Sequence, residues 1–171
     1  KLLGYLSGAL AVVMVPSALW AVWYQEWDAL RAVLLSMMVS LIVGGVLSLL
    51  GRNASDRMYQ REALGLVGVS WLVAAGLGAL PFLFAGVLGP VDAYFESMSG
   101  FTTTGSSVFG ASHFAETPRS IMFWRSFTHW LGGMGIIVLF IAVLPYLGAG
   151  GKQLFKSESP GPDPRGLKPR I

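Results

Sequence analysis

Four stretches of the chain are dominated by apolar residues: Leu2 to Trp23, about Leu30 to Leu50, about Ala63 to Leu88, and about Arg119 to Leu147. Each reaches the ~20 residues that a helix needs to cross a bilayer, and the last is long enough to cross with tilt. The polar run Gln25-Glu26-Trp27-Asp28 separates the first two, and residues 51–62, with Arg52, Arg57 and Arg61, separate the second from the third. The third holds Gly65, Gly68, Ala75, Gly76 and Gly78, small residues that let helix backbones approach closely, and is broken at Pro81. Between the third and fourth, residues 91–99 form a short amphipathic segment that feeds Thr102-Thr103-Thr104-Gly105, followed by a polar return over 110–118. A segment too short to cross, ending in irregular backbone, is tolerated at membrane depth only where protein or water shields it. The pattern predicts an all-α integral membrane fold of four transmembrane helices, with a re-entrant loop between the third and the fourth.

Composition agrees. The chain is 54% hydrophobic and 12% charged, with a mean hydropathy of +0.62, whereas soluble domains are roughly 25% charged. There is no Cys, which excludes disulfide and thiolate chemistry. The net charge of +3 is small and spread over loops, so it points to no nucleic-acid partner and informs orientation instead. Lys1, Arg52, Arg57, Arg61, Lys152, Lys156, Arg165, Lys168 and Arg170 fall on one side, against Arg31, Arg119 and Arg125 on or near the other. Short cytoplasmic loops carry such an excess, so both termini are expected in the cytoplasm. The alternative for the first span is a cleaved signal peptide, but Pro16 and the cluster Trp20, Trp23, Tyr24 favour a retained helix with an interfacial belt.

This orientation brings the re-entrant segment in from the outer face, the arrangement of an ion-selective pore loop. Glu26, Asp28, Asp92 and Glu116 lie on that face, either as a weak attraction for cations or as ordinary loop acidity. A hydrated cation sheds water only where oxygens replace the shell, and rings of backbone carbonyls do this in potassium channels. Gly105 supplies backbone freedom for such a turn, and the hydroxyls of Thr102, Thr103 and Thr104 can hold the loop or add a ligand. The half-helix would aim its negative C-terminal end at the cavity, which favours a cation there. Alone, Thr-Thr-Thr-Gly is as well read as a polar helix connection; its position after a half-helix and between two spans is what favours the pore loop.

Several stretches resemble the Trk/Ktr/HKT superfamily of potassium transporters, most closely the bacterial TrkH-type membrane subunit. They are Asp92-Ala93-Tyr94-Phe95-Glu96-Ser97 with Thr102-Thr103-Thr104-Gly105, Phe123-Trp124-Arg125-Ser126-Phe127 leading into Trp130-Leu131-Gly132-Gly133-Met134-Gly135-Ile136-Ile137-Val138-Leu139, and Leu144-Pro145. Glu158-Ser159-Pro160-Gly161-Pro162 and Pro169-Arg170-Ile171 match as well. The resemblance implies four consecutive helix, pore loop, helix repeats preceded by two extra helices. Residues 1–50 are then the extra pair, 63–147 the first repeat, and 148–171 a cytoplasmic connector to the next.

On the same basis the selectivity filter takes Thr102, Thr103, Thr104, Gly105 and Ser106 from this repeat, with K+ at Thr103, Thr104 and Gly105 and no cofactor. Gly105 matches the glycine that helps the family choose potassium over sodium. One loop is present where four are needed, so the chain is expected to be a fragment; four assembled copies are the alternative. The implied partners are the remaining repeats, a second copy in a homodimer, membrane lipid and a cytoplasmic nucleotide-binding regulatory subunit of the TrkA type, which Lys152, Lys156, Arg165 and Lys168 could meet. The implied location is the bacterial inner membrane. The rival functions are a non-conducting membrane scaffold and a solute permease subunit.

Other residues have plain and functional readings side by side. Arg125 either pairs with Glu96 to brace the half-helix or snorkels to the interface. Gly132-Gly133-Met134-Gly135 is either a close-packing patch, the favoured reading, or a hinge. His113 and His129 have no partner at metal-ligand spacing and are read as packing or interface residues. Asn53-Ala54-Ser55 fits a glycosylation acceptor but falls on the cytoplasmic side, and Gly148-Ala149-Gly150-Gly151-Lys152-Gln153 fails the phosphate-loop spacing. No hydrolase elbow or zinc motif is present, and an enzyme is not expected.

Overall fold

A computed structural model describes residues 1–52, 60–110, 114 and 116–143. The motif Asn53-Ala54-Ser55, Arg57, His113, Leu144-Pro145 and everything from Tyr146 to Ile171 lie outside the described residues, including the four basic residues read as a partner surface and the whole connector. Two units divide at Gly133 and Met134.

Among the described residues of the first unit, the regular elements are all helices. Helices α1 (Leu2–Val13) and α2 (Val15–Trp23) make up the first span. Pro16 lacks an N–H, but Met14 keeps helical angles and still donates to Leu10, so the span is interrupted without being broken. Helix α3 (Trp27–Leu50) begins three residues earlier than the apolar pattern suggests. The polar run before it is a tight corner: Gln25 takes φ +56, and the N–H groups of Gln25 and Glu26 cap the Val22 and Ala21 carbonyls. The first and second spans form an antiparallel hairpin in which backbones touch. A Cβ on Gly4 would lie 2.8 Å from the Gly44 carbonyl, and one on Gly44 would lie 3.0 Å from that of Gly4. Ser7 and Ser40 are buried nearby, and Ser7 spends its hydroxyl on Leu3 one turn back.

The third span is α4 (Gln60–Gly78) followed by α5 (Leu80–Phe84), with Pro81 at the interruption. It stops before the expected Leu88 because Gly86, at φ +66, closes it, with Gly86 and Val87 donating to Leu83 and Phe82. After Gly89 the half-helix α6 (Pro90–Phe101) starts with Pro90 in its first turn, where a missing N–H costs nothing. Its 12 residues rise only about 18 Å, well short of a ~30 Å hydrocarbon core. The last helix, α7 (Arg119–Val143), has 25 residues. In the second unit the structure describes only its end, where Met134 and Ile137 are exposed.

Three helical stretches, Leu2–Trp23, Trp27–Leu50 and Gly65–Phe84, are long and apolar enough to cross a membrane. Helix α7 also has the length to cross, and it carries the polar groups Arg125, Thr128 and His129 in its first half. They serve contacts: Thr128 is fully buried against Gly100 of α6, and a His129 ring nitrogen lies 3.0 Å from the Arg125 carbonyl.

The core runs through Met14, Val33, Phe82, Phe101, Ile121 and Trp124, all almost fully buried; α6 packs on α4, and Phe101 and Gly100 bring it against Trp124, Thr128 and Gly132 of α7. Trp124 donates its indole N–H to the Gly78 carbonyl at 2.9 Å, pinning α7 to the end of α4. Gly78 carries no side chain because a Cβ there would lie 2.6 Å from Ser97 Oγ. Of the glycine patch on α7, Gly132 is a packing residue, since its Cβ would fall 2.7 Å from the carbonyl carbon of Phe101, whereas Gly133 faces open space. Helix α7 continues unbroken through the patch, which supports the packing reading.

Candidate functional site

Where α6 ends, the Thr-Gly run begins. Thr102, Thr103 and Thr104 donate their N–H groups to Met98, Gly100 and Ser99, closing the last turn of the half-helix. This is a helix terminus with the left-handed position occupied by Thr103, at φ +56, where glycine is usual. A β-branched residue there is a true outlier, costing on the order of 1–3 kcal/mol, and the surroundings must hold it. They do so partly with hydroxyls: Thr103 Oγ1 donates to the Thr102 carbonyl at 2.7 Å, Thr102 Oγ1 to Met98 at 2.8 Å, and Thr102 and Thr104 share a 2.8 Å hydroxyl contact. Two residues on, Gly105 takes φ +78 with nothing near its missing Cβ, so the backbone angle, and not space, selects glycine.

Residues 102–107 are exposed along the whole run. The loop then turns back over the half-helix, and α6 holds it with two side chains one turn apart. Ser99 Oγ donates to the Ser106 carbonyl at 2.6 Å. Glu96, which has no exposed surface, receives Ser107 Oγ at 3.0 and 3.1 Å and the Val108 N–H at 3.0 Å. Arg125 of α7 completes its partners by donating Nε–H to Oε1. Ser107 Oγ also accepts the Phe109 N–H at 3.0 Å. The Arg125 guanidinium lies 5.9 Å from the Phe109 ring centre and 5.6 Å from that of Phe114, within cation–π reach. Arg125 is only 17% exposed, so it turns inward to Glu96, and the snorkelling alternative is not what the structure adopts.

The structure thus places Thr102, Thr103, Thr104, Gly105 and Ser106 in one exposed turn at the C-terminal end of a half-helix, with Glu96 and Arg125 behind it. Sequence reasoning passed over Ser99, Ser107 and the backbone of Val108. Their role depends on a loop folding back across seven to twelve positions, and one serine among several carries no local signal.

It also underrated Glu26. That carboxylate sits beyond the N-terminus of α7 and accepts the N–H groups of Arg119 and Ser120 at 2.8 and 3.0 Å and Ser120 Oγ at 2.6 Å. Arg119 in turn covers Tyr24 at 4.8 Å, and Trp20 stacks on Phe123 at 4.9 Å. A negative group at a helix N-terminus satisfies its free donors and its dipole, so Glu26 is a helix cap supplied across 93 residues. Asp28, by contrast, makes an exposed 3.3 Å pair with Arg31.

A half-helix too short to cross, held between two spans and returning through an oxygen-rich turn, defines a membrane protein with a re-entrant loop, the architecture of transport and channel proteins. The chain belongs to the TrkH family of cation transport proteins, which matches residues 29–169. It is 38% identical over 174 residues to the Trk system potassium uptake protein TrkH of Salmonella typhimurium, covering all of this chain and 35% of that protein. It is 31% identical to TrkG of Escherichia coli over 161 residues, 93% of this chain and 33% of the relative. Among solved structures, the potassium transporter TrkH from Vibrio parahaemolyticus superposes with a TM-score of 0.80 at 33% identity, covering 92% of this chain and 35% of that one. The resemblance drawn from residues 92–105 and 123–139 is therefore correct, and with it the all-α membrane fold. The chain spans about a third of the length of these relatives.

Proposed function

We propose that this chain supplies one of four filter loops to a potassium uptake protein of the cytoplasmic membrane, with potassium moving down its electrochemical gradient through the pore. The observation that carries the reading is the turn at residues 102–106. It lies exposed at the negative end of a half-helix, it contains two left-handed residues, and it is tied at Ser106 to Ser99, with Glu96 holding the next two residues, Ser107 and Val108. A loop held only from behind leaves its front for an ion and for the matching turns of other repeats. The relatives named as potassium uptake proteins support the choice of ion.

In this reading Thr103, Thr104 and Gly105 contact K+, Thr102 and Ser106 close the turn at its two ends, and the Glu96–Arg125 pair braces the half-helix against α7. Residues 1–50 form an accessory helix pair that Glu26 clips to the repeat, residues 63–147 are the repeat, and 148–171 connect it onward. Both ends of the segment face the cytoplasm of a bacterial cell. The whole protein pairs with a second copy and answers to a nucleotide-binding regulatory subunit on that side.

The test is rubidium uptake by the full-length protein in cells stripped of their own potassium transport, with potassium and sodium as competitors. Competition by potassium and not by sodium supports the proposal. Uptake that follows an organic solute instead, or no uptake at normal membrane levels, rejects it.

A further inference from the structure

Ser99 makes two bonds to the loop, and they fall on either side of Gly105. Its backbone carbonyl accepts the Thr104 N–H at 3.0 Å, and its hydroxyl donates to the Ser106 carbonyl at 2.6 Å. The residue itself is 4% exposed, in the last turn of α6. One buried serine therefore holds the N–H of Thr104 on one side of Gly105 and the carbonyl of Ser106 on the other, and leaves the glycine at φ +78 as the crest between two anchored residues.

This arrangement has a consequence for ligand geometry. A carbonyl that lies 2.6 Å from a buried hydroxyl is directed at the half-helix and is not available to an ion on the exposed side of the turn. We propose that Ser99 is a specificity-positioning residue. By withdrawing the Ser106 carbonyl it makes Gly105 the outermost residue of this loop whose carbonyl can face the ion, and it holds that carbonyl at the spacing a larger alkali cation needs. The inference rests on the filter reading of residues 102–106. Glu96 supports the next two residues, Ser107 and Val108, so the outer limb is latched at three consecutive positions by two side chains of α6. Of these, only the Ser99 latch holds an oxygen of the filter run itself.

Without the hydroxyl, the Ser106 peptide is free to rotate, and its oxygen can turn toward the ion path. A site with an extra, mobile oxygen collapses more readily around a small cation, so discrimination against sodium falls while passage of the larger ion continues.

The experiment uses the full-length protein at matched membrane levels and reads the ratio of sodium to rubidium uptake for Ser99→Ala, Ser99→Thr and Ser99→Val. Thr and Val have the same shape, so any crowding in the buried site is common to both, and the difference between them reports the hydroxyl. The expected result is a ratio raised roughly fivefold in Ser99→Ala and in Ser99→Val relative to Ser99→Thr, the factor that corresponds to the net worth of one hydrogen bond. A ratio equal in the Thr and Val variants, and unchanged in Ser99→Ala, overturns the inference while leaving the filter reading intact. An unaltered protein that takes up no rubidium overturns the filter reading itself.

Discussion

Arg125 reaches from α7 to the fully buried carboxylate of Glu96 on the half-helix, 29 positions earlier, and the same carboxylate holds Ser107 and Val108 of the returning loop. Three segments that are separate in sequence therefore meet at one charge. A buried carboxylate is tolerated only when it is paired and hydrogen-bonded, and here three donors meet it: the Ser107 hydroxyl, shared between its two oxygens, the Val108 N–H and the Arg125 Nε–H.

Removing one side of that pair strands the other. Arg125→Met should cost about 3–5 kcal/mol of stability, because Glu96 keeps its burial and loses its counter-charge. Adding Glu96→Gln should restore part of the loss. Thermal unfolding of the detergent-solubilised protein across the four members of the cycle measures the coupling; strictly additive losses would show that the pair is not an energetic unit.

Two adjacent glycines on α7 should respond in opposite ways. Gly132→Ala forces a methyl into the backbone of Phe101, which cannot move aside as a side chain would, and should cost about 1–3 kcal/mol. Gly133→Ala meets nothing and should be neutral, or stabilising by roughly 0.5–1 kcal/mol through helix propensity. Melting temperatures of the two variants decide it, and similar values would argue against the close contact between α6 and α7.

Glu26→Ala should weaken the attachment of the first helix hairpin to α7 by about 0.5–2 kcal/mol, the usual worth of a helix cap, with Glu26→Asp losing less. Proteolysis in the 24–28 corner is the readout. An unchanged cleavage rate would mean that the aromatic contacts of Trp20 and Tyr24 hold the hairpin without it.

Thr103 should trade stability for order. Thr103→Gly removes a left-handed β-branched residue and should relieve about 1–2 kcal/mol of backbone strain. It also deletes the hydroxyl bonded to Thr102, so the turn gains freedom where the proposal needs it fixed. Higher thermal stability with poorer cation discrimination is expected; a loss of stability would show that the hydroxyl outweighs the strain.

The membrane spans were legible because apolar length is decided locally. Leu2 to Trp23 and the stretch ending at Leu50 keep their bounds; the third span starts at Gln60 instead of Ala63, and the shared corner and the end at Phe84 moved as well. The shifts at the corner and at Phe84 come from left-handed caps at Gln25 and Gly86, of which only the glycine advertises itself in sequence. Glu96 and Arg125 were legible as partners because ionisable residues at membrane depth have few other ways to be satisfied. Ser99 and Glu26 were not: each acts on backbone groups brought close by tertiary folding, Glu26 across 93 positions, and no spacing in the chain marks such a bond. The left-handed angle of Thr103 was also hidden, since threonine is among the residues least expected there.

The central claim is that the turn around Gly105 selects potassium, and Gly105→Ser tests it most directly. The substitution meets no neighbour within 4 Å, so its effect comes from a backbone angle that L-residues rarely adopt and not from a clash in the core. Measured as rubidium uptake with and without sodium in cells lacking their own potassium transport, at matched membrane levels, the full-length protein should take up rubidium selectively, and Gly105→Ser should lose uptake or admit sodium. Equal, equally selective uptake by both would contradict the account.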